Sequence, residues 1–210
     1  MSSAALESTL IEGAAAFGIR LEAGQAASLL RLVAELAEWN RRFNLTAITE
    51  PADMVRKHLL DSLSVWPWLR GKRIADVGTG AGFPGLPLAV IDPGRQYTLI
   101  EATGKKARFV QYAAEMLGLG NVEVVRARAE TWRAPEPFDC VVARALGQLA
   151  DFIGVAGHLC ARDGRLLAMK GRRPDAEMAG LQAGWKVVAV HEVRIPGLAA
   201  ARCIVELGRA

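Results

Sequence analysis

The sequence predicts an α/β fold: a Rossmann-like, mostly parallel sheet that ends in an antiparallel strand pair and is preceded by an N-terminal helical cap. Three observations carry this. Apolar strand-like runs alternate with helical stretches over short connections, the pattern of a parallel sheet covered on both faces. The run Ile74-Ala75-Asp76-Val77 flows into glycines at Gly78, Gly80, Gly82 and Gly85, which reads as a strand, a tight turn and a helix start. Near the C-terminus, two strand-like runs meet through Pro196-Gly197, as an antiparallel pair does. The chain therefore divides into a cap at 1–70 and a ligand-binding domain at 71–210.

Taken in order, residues 4–18 read as a helix of Ala, Leu and Glu broken near Gly18. A second helix, from about Glu22 to Arg42, carries Leu29, Leu32, Val33, Leu36 and Trp39 on one face. Asn40, Asn44 and Thr46 compete for backbone hydrogen bonds and end it. Pro51 opens a further helical stretch, Ala52 to Trp66, in which His58 and Asp61 are three apart and share a face. After the glycine turn come a helix to Ile91, a strand at Tyr97–Ile100 closed by Glu101, and a helix from Thr103 or Gly104 to Leu117. Strands follow at Val122–Val125 and Phe138–Ala143, then a helix from Leu149 to Leu159 and a fifth strand at Arg165–Met169. The final pair spans Trp185–Ile195 and Ala201–Leu207.

Of the 210 residues, 51% are apolar and 23% charged, enough to build a sizeable core and too apolar for disorder. No run of 18 apolar residues suggests a membrane span, and the acidic N-terminus lacks a signal peptide's pattern, so a cytoplasmic location is the default expectation. Cys140, Cys160 and Cys203 lie in apolar surroundings without metal spacing and read as small core side chains. His58, His158 and His191 form no zinc motif, so no metal is expected. The net charge of +4 is uneven: residues 1–70 carry seven basic and eight acidic side chains, the remainder 19 and 14. The basic excess on the second part would steer an anionic partner such as RNA, although an ordinary basic enzyme is equally compatible with it.

In an open α/β sheet, ligands bind beyond the carboxyl ends of the strands. Gly80-Ala81-Gly82-Phe83-Pro84-Gly85 matches a dinucleotide fingerprint, with Glu101 about 20 residues on for a ribose. Asp76 ahead of the glycines suits the ammonium and sulfonium charges of S-adenosylmethionine and repels a pyrophosphate, which favours that cofactor over NAD. The turn's amides are expected to face the ligand. Glu101 either accepts both ribose hydroxyls or caps a helix. Ala129 and Glu130 address an adenine edge, and Phe83 offers an apolar surface to ligand or core. Arg144 breaks an apolar strand at its exit and either faces a ligand or forms a structural ion pair. Ala143 to Ala145 mark that strand's end. His58 and Asp61 line a substrate mouth or tie the subdomains together. Lys170, Arg172 and Arg173, with Arg41, Arg42, Arg56 and Lys57 of the cap, are placed to clamp an RNA backbone.

The segments WNRRFNLTAI (39–48), KHLLDSL (57–63), DVGTGAGFPGLPLAV (76–90), LIEATGKKARFV (99–110), ARAE (127–130), ARAL (143–146) and MKG (169–171) together resemble the bacterial small-subunit ribosomal RNA guanine-N7 methyltransferases, also called glucose-inhibited division protein B. The resemblance runs from about residue 30 to 207. It implies a class I S-adenosylmethionine-dependent methyltransferase that binds its cofactor through Asp76–Gly85, with contacts at Gly78 and Phe83. Glu101 then serves the ribose, Ala129-Glu130 the adenine, and Arg144 the cofactor and substrate. The implied substrate is N7 of one guanine in the decoding-region loop of 16S ribosomal RNA, within the small subunit or an assembly intermediate. His58, Asp61, Arg144 and Lys170 orient that RNA, and the enzyme is expected to be a monomer. Relatives often carry Ser where this chain has Ala143, and Asp-Ser where it has Glu101-Ala102; only the second difference keeps the functional group. An NAD-dependent oxidoreductase, a non-catalytic RNA-binding module and a methyltransferase for a small molecule or protein are the competing readings.

Overall fold

The computed structural model of the protein describes residues 2–144 and 146–210. Ala145, expected at the exit of the fourth strand, lies outside the described residues. Helix α1 (Ser3–Ala15) starts at Ser2, whose side chain accepts from the amide of Ala5. Helix α2 (Ala23–Phe43) is closed at its start by a reciprocal Glu22/Gln25 pairing and at its end by Asn44 in the left-handed conformation. The Asn40 side chain then seals the exit. Its oxygen accepts from the amides of Leu45 and Thr46 at 2.6 and 2.9 Å, and its nitrogen donates to the Thr46 carbonyl at 2.9 Å.

The next helical stretch is not uniform. A short α3 (Pro51–Met54) passes into a π-helical segment (Val55–Leu60), then into α4 (Asp61–Leu63), with a 3₁₀ turn at Trp66–Trp68. Periodicity gives no warning of a π segment, because its extra residue per turn displaces the pattern by only one position.

The remaining elements are β1 (Arg73–Val77), α5 (Gly85–Ile91), β2 (Gln96–Ile100), α6 (Gly104–Met116), β3 (Val122–Val125), β4 (Phe138–Arg144), α7 (Leu149–Ala156), β5 (Cys160–Lys170), α8 (Asp175–Ala179), β6 (Trp185–Val193) and β7 (Arg202–Arg209). Among the described residues they form one seven-stranded sheet in the order β3-β2-β1-β4-β5-β7-β6. The β1–β2, β2–β3, β1–β4 and β4–β5 pairs are parallel, and β7 runs antiparallel to both β5 and β6. Strand β5 begins five residues before its expected start. Cys160 pairs with Phe138 across a register irregularity, so the strand runs on through Gly164. Helix α7 stops three residues short of Leu159, and α8 follows β5 without having been expected.

Side chains of the central strands alternate between two cores. Ile74, Cys140 and Val142 face the N-terminal helices, α5 and α6; Ala75, Val141 and Ala143 face α7. The cap is tied to the sheet by more than apolar packing. Gln25 donates to the carbonyls of Val90 and Ile91, and the Tyr112 hydroxyl donates to Glu35 at 2.9 Å. From β1 the sheet grows outward through β2 and β3, and the chain then returns to place β4 on the other side. The β1/β4 boundary is therefore the switch point at which a ligand crevice opens.

Gly85 marks how tightly the glycine turn is packed: a Cβ there would collide with the Leu99 side chain and approach Asp76 Oδ2 to 2.8 Å. Gly85→Ala should destabilise the fold by about 2 kcal/mol, as overpacking does, read as a lower denaturation midpoint at unchanged m-value. A variant as stable as the parent would contradict that packing.

Candidate active site

At the end of β1 the chain turns sharply. The amides of Gly78 and Thr79 both donate to the Ile100 carbonyl, at 2.9 and 3.2 Å. Asp76 is fully buried, and its Oδ2 accepts from the Thr79 hydroxyl at 2.6 Å and from the Gly85 amide at 2.7 Å. Burial pushes this carboxyl up to about 6, against the pull of those two hydrogen bonds and of Arg144. Glu101, also buried, bridges the next turn: Oε2 accepts from the Gly80 amide at 2.9 Å and Oε1 from the Thr103 amide at 2.7 Å.

These contacts correct one expectation. The amides of Gly78, Thr79, Gly80, Gly82, Phe83 and Gly85 point inward to carboxylates and carbonyls rather than outward to a ligand, since buried acceptors need donors. What the turn offers is bare backbone surface. At Gly80, φ +63°, a Cβ would meet only the Gly78 carbonyl, at 3.9 Å, and Leu146 is the nearest neighbour above Gly78. Glu101 does not act as a solvated cap. Ala129 is buried just beyond β3, and Glu130 is half-exposed, 3.5 Å from Arg128.

On the other side of the switch point, Arg144 leaves β4 and meets the π-helical segment. Its Nη1 donates to the Lys57 carbonyl at 3.0 Å and to Asp61 Oδ2 at 3.2 Å, and its Nη2 to His58 Nδ1 at 3.4 Å. Asp61, 5% exposed, takes a second guanidinium: Arg202 Nε donates to Oδ1 at 2.8 Å. Arg144 is thus ion-paired and also lines a cavity of about 460 Å³.

His58 stacks on Phe83, with ring centroids 4.6 Å apart and planes at 16°. Its Nδ1 accepts from Arg144, so the proton resides on Nε2, which donates to the Thr46 hydroxyl at 3.0 Å. Burial, reinforced by the Arg144 charge, lowers its pKa to about 3 and keeps the ring neutral. Lys170 closes the far wall, its Nζ donating to the Gly147 carbonyl at 2.7 Å and to Glu177 at 2.8 Å. The structure therefore gathers His58, Asp61, Arg144 and Lys170 around one cavity. Arg202 was missed, although it carries the signal that singled out Arg144: an arginine at the end of an apolar strand, here ahead of Cys203-Ile204-Val205.

The residues fit a cofactor that carries an ammonium group. Oδ1 of Asp76 is buried and has no hydrogen-bond partner, so one acceptor at the end of β1 is uncommitted. Solved structures of the same architecture include TrmN from Thermus thermophilus, with a TM-score of 0.58 and 20% identity over 74% of this chain and 53% of TrmN. Another is a SAM-dependent methyltransferase from Thiobacillus denitrificans in complex with S-adenosyl-L-homocysteine, with a TM-score of 0.54 and 15% identity over 71% of this chain and 91% of that one. The fold is that of the class I S-adenosylmethionine-dependent methyltransferases.

Sequence comparison narrows the class. A family model described as rRNA small subunit methyltransferase G matches residues 25–205. Ribosomal RNA small subunit methyltransferase G of Xanthomonas axonopodis pv. citri is 49% identical over 88% of this chain and 87% of its own. The protein of that name from Stenotrophomonas maltophilia is 48% identical over 96% and 94%. The chain belongs to the rRNA small subunit methyltransferase G family, and with that the oxidoreductase alternative lapses.

The two perturbed groups oppose each other in stability. Asp76 holds its proton more tightly folded, near pH 6, than at its ordinary 3.8, so stability falls as pH rises from about 4 to about 6. His58 resists protonation when folded, near pH 3 against its ordinary 6.5, so stability falls as pH drops from about 6.5 towards 3. Each effect amounts to about 3–5 kcal/mol. Denaturation midpoints at pH 4.5 and 6.5 should rise with pH in Asp76→Asn and fall with pH in His58→Gln. Parallel profiles for both variants and the parent would contradict the assignment.

Proposed function

We propose that the protein methylates N7 of a guanine in the decoding-region loop of bacterial 16S ribosomal RNA, presented by the small subunit or an assembly intermediate. One observation carries the choice of N7: among the described residues, the cavity beside β4 contains no free base. His58 is neutral with both ring nitrogens engaged, and both oxygens of Asp61 are held by guanidinium groups. A nucleophile that must first lose a proton has no acceptor here. Guanine N7 carries an in-plane lone pair in the neutral base and needs none.

Bound at the switch point, S-adenosylmethionine supplies an electrophilic methyl group on a sulfonium. Asp76 Oδ1 receives its ammonium group, and Glu101 its ribose hydroxyls through lone pairs not used by Gly80 and Thr103. Gly78 and Gly80 let it approach the backbone, Ala129 and Glu130 meet the adenine edge, and Phe83 and Arg144 flank its reactive end. Gly85 contributes indirectly, through the amide that holds Asp76. The Phe83–His58 stack and the Arg144 fork then fix the wall against which the target base rests, so that rate comes from alignment and a preorganised field. Lys170, braced by Glu177, bounds the same space. The cap at 1–70 forms the RNA-side element over the domain at 71–210, and the enzyme works as a cytoplasmic monomer.

Isolated small ribosomal subunits lacking the modification, incubated with the protein and methyl-labelled S-adenosylmethionine, should take up label at N7 of one guanine in the decoding-region loop, located by nuclease mapping. Label elsewhere, or cofactor binding without transfer to RNA, would overturn the assigned substrate. Arg144→Ala should slow single-turnover transfer at saturating substrates by at least about a hundredfold, against a stability loss of about 1–3 kcal/mol. Near-parental transfer would remove Arg144 from the reaction.

A further inference from the structure

We propose that a groove between the β5–α8 connection and the β6–β7 connection holds the phosphates of single-stranded RNA immediately beside the target nucleotide. The proposal rests on the reading of RNA as substrate and adds where the strand runs. A second cavity, of about 570 Å³, shares Gly171, Val193, Arg202 and Cys203 with the cavity around Asp61, so the two adjoin. Each is within the size range of small-molecule pockets, and together they suit a base in one and its neighbouring backbone in the other.

The charge of the second cavity is concentrated. Arg172, Arg173, Arg194 and Arg202 line it, with Glu192 as the one carboxylate among the lining residues. Arg202 is committed to Asp61, and Arg173 forms an exposed pair with Asp175 at 2.7 Å. Arg172 and Arg194 enter no salt bridge among the described residues. The β6–β7 connection also covers Arg56 of the π-helical segment, whose buried Nε has no hydrogen-bond partner and lies 2.7 Å from where a Cβ on Gly197 would stand. Apolar residues, Ile195, Leu198 and the run Ala199-Ala200-Ala201, line the same cavity. Guanidinium groups among apolar surface match alternating phosphates and sugar or base faces.

This location differs from the clamp expected from sequence. Lys170 is spent on Gly147 and Glu177, Lys57 pairs with Asp53, and Arg41 with Glu38. Of that clamp the groove keeps Arg172 and Arg173, and Arg194, just beyond β6, joins them.

The test measures binding of a fluorescent single-stranded RNA oligonucleotide spanning the decoding-region loop as a function of salt, using the full chain. Arg172→Gln/Arg194→Gln should weaken binding about tenfold and reduce the slope of log affinity against log salt by about 1.4, that of two phosphate contacts on a single strand. Affinity for S-adenosylmethionine should be retained, and with small subunits the loss should fall on KM for RNA rather than on kcat. Arg108→Gln/Arg162→Gln removes the same charge from exposed positions on α6 and at the start of β5 and should leave the slope as in the parent. An unchanged slope in the groove variant, or equal losses in both doubles, would overturn the proposal, as would preference for an acidic peptide over the RNA. Failure of the parent to methylate any RNA would instead count against the assigned reaction, since the binding slopes are read without transfer.

Discussion

Two buried carboxylates hold the glycine turn in shape, and the rest of the site depends on them. A turn so poor in side chains has little apolar surface with which to fix itself. Asp76 compensates by gathering the Thr79 hydroxyl and the Gly85 amide, and Glu101 by joining the Gly80 and Thr103 amides across two strand ends. Their contacts fix where Phe83 lies, Phe83 fixes the His58 ring, and His58 gives Arg144 one of its three acceptors. The glycine turn and the Arg144 cluster, on the two sides of the switch point, are thereby one mechanical unit.

Much of this was legible in the chain. The glycine ladder, the alternation of strands and helices and the Pro196-Gly197 junction were sufficient for the sheet and its antiparallel end, because each is a local pattern with a local cause. His58 and Asp61 were recognisable as a pair on one helical face. What escaped were features made by distant segments. No spacing rule connects Asp61 with Arg202, which lie 141 residues apart, and the π-helical turn that presents His58 has no compositional mark. The inward direction of the turn's amides was also hidden, since it depends on where Asp76 and Glu101 come to rest after folding.

The electrostatics of the site are economical in proton-transfer capacity. A histidine and an aspartate three residues apart invite a reading as acid and base, yet one is neutralised by burial and the other is held by two arginines. The arrangement suits a reaction in which the substrate arrives already nucleophilic. Thr46 extends the same logic into the cap: its hydroxyl accepts from the Ile48 amide and from His58, and Asn40 fixes its backbone. The polar-aromatic segment at the end of α2 thus acts on the site through orientation alone.

The pairing of Asp61 with Arg202 also ties the cavity to the C-terminal part of the sheet. Arg202 opens β7, the last strand of the chain, and β7 is inserted between β5 and β6 rather than added at the sheet's edge. Without β7 the sheet would lack the strand that joins β6 to β5, and Asp61 would lack its second cation. One strand thus serves two places at once: it closes the gap in the sheet and supplies the arginine that holds the second oxygen of Asp61.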